Sequence, residues 1–188
     1  MPIEVMQTNL PEVLLIKPRV FGDPRGFFFE SFNKRDWLEA TGVDCEFVQD
    51  NHSQSTKGVL RGLHYQLPPA AQGKLIRVLA GEIFDVAVDI RHDSSTFGRW
   101  VGHRLSSENK MQMWVPEGFA HGFLVMSPVA EVHYKATNYY APEQERSIAW
   151  NDASLAIEWP VNSDLSLSEK DLKAPLLSEN DCLQVDWT

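Results

Sequence analysis

Residues 83–90 read Ile83-Phe84-Asp85-Val86-Ala87-Val88-Asp89-Ile90. On an extended chain Phe84, Val86, Val88 and Ile90 share one face, and Asp85 and Asp89 share the other. That period of two is the signature of a strand. Further runs rich in Val, Ile, Phe and Trp read as strands on either side: Val13–Phe21, Gly26–Phe32, Cys45–Ser53, Leu60–Gln66 and Lys74–Leu79 before it, then Gly98–Leu105, Met111–Val115, Phe123–Met126 and Glu131–Asn138 after it. The 11 Gly and 11 Pro are spread evenly and punctuate these runs. About ten strands are more than an open twisted sheet holds comfortably, so a closed or two-sheet β architecture is predicted. Helices are few. Asn33 caps a predicted helix over Lys34–Thr41 that Gly42 closes, and Ser168 caps another over Glu169–Lys173 that Pro175 ends.

The chain of 188 residues is 43% hydrophobic and 23% charged, with 10 Phe, 6 Trp and 4 Tyr to bury. Length and composition predict a single domain, residues 1–188, with a sizeable core. No repeat, low-complexity tract or composition break marks a second unit. The longest uncharged run, Gly118 to Ala130, spans 13 residues and contains His121, too short for a membrane helix. The first residues lack the basic-then-apolar pattern of a signal peptide, so a cytoplasmic location is expected. A net charge of −9 without a Lys/Arg cluster excludes nucleic acid as the main partner, and nothing points to a membrane. An anionic ligand would need a few basic residues converging against the global field. Cys45 and Cys182 have no metal-ligand or redox spacing and read as free thiols.

Four segments place polar residues where a strand pattern prefers apolar ones: Phe21–Glu30, Gln49–His52, Gly58–Gln66 with Lys74, and Tyr134–Tyr140. Singly, each has an ordinary explanation: a hydrogen-bonded structural histidine, an Arg-Gly turn, tyrosines packed with their hydroxyls at the surface. Phe84, Trp114 and Trp150 read as core or interface residues. Together, the segments read as chemistry. GVLRGLHYQ (58–66) with Gly73-Lys74, VPEGFAHGF (115–123) and YKATNYYAPEQERSIAWND (134–152) resemble the dTDP-4-dehydrorhamnose 3,5-epimerase family, with the likeness running from about Leu14 to Pro175.

The resemblance implies an all-β, cupin-type jelly-roll barrel with a few short helices, a homodimer, no cofactor and no metal. It implies a dTDP-linked 4-keto-6-deoxy sugar as substrate. By the same carry-over His64 is the base, Tyr134 the acid, Asp171 the partner that orients the imidazole, and Lys74 the group facing the enolate oxygen. Arg61, Arg25, Lys170 and His121 surround nucleotide and sugar, with Glu30, Gln49, Asn51 and Glu145 as polar contacts. Arg25 and Glu30 come from the partner subunit. Strand alternation adds Tyr140 on the Tyr134 face and puts Tyr139 opposite.

Pro116-Glu117-Gly118-Phe119-Ala120-His121 fits the second cupin motif, but the stretch matching the first reads His64-Tyr65-Gln66, so one metal-ligating His is replaced by an amide unsuited to Zn, Fe or Ni. Other readings keep the scaffold: an enzyme inverting C3 alone or moving the ketone, a non-catalytic sugar-nucleotide-binding cupin, and a metal-dependent cupin. Two positions need structural resolution. Arg61 and His64 are an odd number apart, so both face the barrel only if Gly62 forms a bulge; otherwise one is misassigned. Read alone, SEKDLK (168–173) is a solvated helix face. The tail from Leu177 lies outside the resemblance and either docks through Trp187 or frays.

Overall fold

The computed structural model describes residues 3–161 and 164–187. Along the chain run β1 (Glu4–Gln7), β2 (Leu14–Lys17), β3 (Phe21–Asp23), β4 (Gly26–Phe28), α1 (Lys34–Thr41), β5 (Gln49–Thr56), β6 (Leu60–Gln66), β7 (Lys74–Ala80), β8 (Glu82–Asp89), β9 (Trp100–Ser106), β10 (Gln112–Val115), β11 (Phe119–Val125), β12 (Val129–Ala136), β13 (Glu145–Ser147) and α2 (Glu169–Leu172). Two antiparallel sheets face each other, in the orders β1-β2-β10-β7-β12-β5 and β13-β6-β11-β8-β9, while β3 and β4 form a separate hairpin. This is the two-sheet β architecture that the strand pattern predicts and the cupin-type barrel that the resemblance implies. Among the described residues no helix is long and apolar enough to cross a membrane.

The core lies between the sheets, where Ile76, Met113 and Val132 of one meet Ile83, Ala87, Phe119 and Phe123 of the other. Both outer faces are also covered. Trp37 of α1 packs with Leu75 and Trp114 behind the six-stranded sheet. Val86, Val88, Leu63 and Tyr65 are covered by Leu177, Cys182 and Trp187 behind the five-stranded one. The apolar face of residues 83–90 is therefore the outer face, sealed by the C-terminal segment. Its acidic face turns inward, and Asp85 and Asp89 are both fully buried. The tail docks: two 3₁₀ turns, Leu177–Glu179 and Asp181–Gln184, lead to Trp187, whose ring lies 6.2 Å from that of Tyr65.

Strand ends depart from the sequence reading where hydrogen bonding forbids continuation. Pro18 has no N–H to give a ladder, so the Val13–Phe21 run stops at Lys17 as β2, and only its last residue, Phe21, enters β3. The Cys45 run begins only at Gln49 and continues to Thr56. Asn33 accepts from the N–H groups of Arg35 and Asp36, and Gly42 closes α1 with φ 72°.

Candidate active site

Register on the six-stranded sheet pairs Ile76 with Tyr134 and Tyr134 with Asn51, and two residues further along, hence on the same face, aligns Lys74, Ala136 and Gln49. Directly paired residues share a face, and Ile76 is in the inter-sheet core. Lys74, Tyr134, Gln49 and Asn51 therefore stand on the inward side. The inward row of β5 (Gln49, Asn51, Ser53, Ser55) is polar because it lines a site. Gln49 Nε2 donates to Asn51 Oδ1 at 3.1 Å, and Gln49 Oε1 accepts the Tyr140 N–H at 2.9 Å.

The opposite sheet contributes β6. His121 pairs with His64, and Phe123 with Arg61, so two residues of β11 span three of β6. Gly62 is the extra residue, with φ +125°. The bulge sets Arg61 and His64 on one face and resolves the alternation conflict. Arg61 stands at the rim, its Nε donating to Ser55 Oγ across the barrel at 3.0 Å.

His64 Nε2 lies 2.5 Å from Asp171 Oδ1, and the Asp171 side chain is 3% exposed. Burial raises the Asp171 pKa, but the bonds from His64 and Ser168 and the Lys170 charge outweigh it and hold the carboxyl below its usual range. An ionised Asp171 can only accept, so Nε2 carries the proton and the lone pair at Nδ1 is the basic atom. The SEKDLK segment is thus not wholly solvated: Lys170 is at the surface while Asp171 turns inward.

Burial pushes the Lys74 ammonium down to about 8, opposed by the charges of Glu145 and Asp85 and assisted by Lys170. Burial first, then the Glu145 charge, raises the Tyr134 phenol above its ordinary value, with Arg61 opposing. Glu145 accepts from Lys170 Nζ at 2.6 Å and from the Tyr140 hydroxyl at 2.9 Å. Those contacts and the Lys170 charge overcome burial and lower its pKa. The strand β12 ends at Ala136, so alternation does not govern Tyr140, which reaches the site's edge through Glu145 from an exposed loop. Tyr139 is exposed.

His121 is buried with its Nε2 2.7 Å from Asp85 Oδ1, and the second oxygen of Asp85 has no partner among the described residues. Asp85 escaped the sequence reading. The signal was present, an acid inside an apolar strand, but both faces of β8 are covered and a period of two does not say which is the interior. Gln66, at the position of the replaced metal ligand, gives its amide to the carbonyls of Ala70 (2.6 Å) and Tyr139 (3.1 Å) and accepts the Ala141 N–H at 2.8 Å. It ties down the tyrosine loop. Among the described residues no group of three or more His, Cys, Asp or Glu side chains is arranged to hold a metal ion.

Two expected residues stand apart. Arg25 sits on the β3–β4 hairpin with its side chain 90% exposed and pairs with Asp23 at 2.6 Å. Glu30, just beyond, accepts from Asn33 Nδ2 at 3.3 Å. The others (His64, Lys74, Tyr134, Asp171, Gln49, Asn51, Arg61, His121, Tyr140, Glu145, Lys170) are joined by strand register, hydrogen bonds or mutual charge.

A family model described as dTDP-4-dehydrorhamnose 3,5-epimerase matches residues 7–179. The chain belongs to that epimerase family. It is 62% identical over 170 residues to the dTDP-4-dehydrorhamnose 3,5-epimerase of Shigella flexneri, covering 90% of this chain and 93% of the relative. Identity to the epimerase of Salmonella typhimurium is 59% over 175 residues, covering 93% and 96%. Among solved structures, the 3,5-epimerase of Legionella pneumophila in complex with dTDP-4-keto-L-rhamnose is similar at a TM-score of 0.94 and 53% identity, over 97% of both chains. The epimerase family thus accounts for nearly the whole chain, including the strands bearing His64, Lys74 and Tyr134.

Proposed function

We propose that this chain inverts C3 and C5 of dTDP-4-keto-6-deoxy-glucose to give dTDP-4-keto-rhamnose, the epimerisation step of dTDP-L-rhamnose biosynthesis. The observation that carries the reading is His64 of one sheet, backed by Asp171 of α2, facing Tyr134 and Lys74 of the other sheet. Protons on C3 and C5 are both α to the C4 ketone. His64 Nδ1 removes one, the electron pair moves onto the C4 oxygen, and the Lys74 ammonium holds the resulting oxyanion. Tyr134 delivers a proton to the opposite face, restoring the ketone with inverted configuration. His64 then loses its proton and Tyr134 regains one from solvent, and the cycle repeats at the second centre. A raised phenol pKa keeps Tyr134 charged with its proton at neutral pH. Asp171 orients the imidazole and stabilises it once protonated. Arg61, Lys170 and His121 are assigned to the nucleotide and sugar, where an Arg fork suits phosphate oxygens, with Gln49, Asn51, Tyr140 and Glu145 as polar contacts.

The test is incubation with dTDP-4-keto-6-deoxy-glucose in D₂O with a chelator present, reading product mass. Two deuterons taken up are expected. One would make it a single-centre epimerase, and none with binding intact would leave a binding protein.

The assigned oxyanion role also fixes a pH dependence. Lys74 stabilises the enolate only when protonated, so kcat/KM is expected to fall as pH rises through about 8, where the ammonium loses its proton. In Lys74→Arg that limb should disappear from the accessible range, because a guanidinium stays protonated throughout it. An unchanged limb in Lys74→Arg would assign it to another group.

We further propose a homodimer in which Arg25 and Glu30 complete the partner's site, and a cytoplasmic location, to which the free thiols of Cys45 and Cys182 are suited. Support for the dimer lies in the hairpin: two three-residue strands are marginal alone in water, and Phe27 and Phe28 on it are 60% and 66% exposed. Mixing Arg25→Ala with His64→Ala subunits is expected to recover activity that neither has alone, since the mixed dimer contains one intact site. A mixture as inactive as its components would place Arg25 in its own subunit's site or in none.

A further inference from the structure

We propose that Ser168 is a positioning residue of the epimerisation site, holding the Asp171 carboxylate so that its other oxygen meets His64; this rests on His64 being the base. In sequence Ser168 is only a helix cap. In the structure its Oγ accepts the Asp171 N–H at 3.1 Å, as a cap does, and donates its one proton to Asp171 Oδ2 at 2.9 Å. Asp171 Oδ1 meets His64 Nε2 at 2.5 Å. Each carboxylate oxygen thus has a side-chain partner on its own side, and the group cannot rotate without breaking one bond.

The anchor is stitched to the strand it serves. Ser166 bridges Val59, and its carbonyl accepts the Leu60 N–H at 3.0 Å, so the chain entering α2 is fixed to the start of β6. The helix itself is four residues long, too short to set a side chain by its own stability. Capping needs only an acceptor; the hydroxyl proton is what reaches the carboxylate. Charged groups facing the pair are Lys170 from α2 and Glu145 from β13, which bears on both His64 and Lys170.

The test separates cap from donor with three variants. Ser168→Ala removes both bonds and is expected to lower kcat roughly ten- to hundredfold, the range for a hydrogen bond to a charged group, with KM little changed. Ser168→Thr keeps acceptor and donor and should restore kcat. Ser168→Asp caps a helix as well as Ser does but has no proton to give at neutral pH and sets a second negative charge against Asp171; it should not restore kcat. In Ser168→Ala the acidic limb of kcat/KM should also move to higher pH, because a carboxylate deprived of a donor holds a proton more tightly. Recovery by Asp as complete as by Thr, or wild-type kcat in Ser168→Ala, would overturn the proposal. His64→Ala assayed alongside keeps the two readings apart: activity surviving there removes the base, whereas its loss beside an unaffected Ser168→Ala removes only the positioning role.

Discussion

In His64→Ala, kcat is expected to fall by about 10³–10⁴-fold, at the upper end of what a positioned base contributes, while the fold persists. The imidazole is the only basic atom aimed into the barrel from β6 whose partner is an ionised, buried carboxylate. Its backbone hydrogen bonds to β11 and β13 do not depend on the side chain. At 29% side-chain exposure its removal leaves a water-accessible recess rather than a sealed cavity. The loss should therefore be one of chemistry, with solvent-deuterium uptake at C3 and C5 falling by the same factor as turnover.

Tyr134→Phe separates the two halves of the mechanism. With the base intact, His64 still removes a proton and can return a deuteron to the same face. Deuterium uptake should continue in recovered substrate while inversion slows by about 10²–10³-fold. Uptake no faster than in His64→Ala would mean that Tyr134 is not the acid or that His64 is not the base.

Periodicity carried the sheets and the caps carried α1, because both are local. Phe84, Val86 and Val88 alternate over enough residues to declare a strand, and Asn33 and Gly42 bracket a helix whose bounds the structure reproduces. The inside of β8 was not legible: a C-terminal segment nearly a hundred residues on covers its apolar face, so Asp85 lines the interior. The short strands β1 and β13 went unseen. Glu4–Gln7 is four residues with its two apolar side chains adjacent, so it shows no alternation, and Glu145–Ser147 is a strand only because β6 lies beside it. Asp171 shows the same limit from the other side. A serine, two acids and two lysines describe a solvated helix until β6 brings His64 to Asp171 across 107 positions of sequence. The site's chemistry was legible as residue types in long motifs, whereas its geometry depends on Gly62.

At Gly62 the substitution to alanine is expected to cost roughly 4 kcal/mol, the scale reserved for core clashes and backbone conflict. A Cβ there would stand 2.5 Å from the Cα of Gly122 and 2.8 Å from the carbonyl oxygen of His121. Both are backbone atoms of β11, which is held on its other side by seven residue pairs with β8, so neither can swing aside as a side chain would. The φ of +125° adds a conformation that alanine rarely adopts. For a chain of this length the cost corresponds to a melting temperature lower by about 8–16 °C. If the strand instead relieves the clash by giving up the bulge, every residue on one side of position 62 changes face. Either Arg61 leaves the rim or His64 leaves Asp171, and turnover is lost even at temperatures where the protein remains folded. Calorimetry and turnover together test both. A melting temperature and kcat equal to wild type would mean that β6 holds Arg61 and His64 on one face without the glycine.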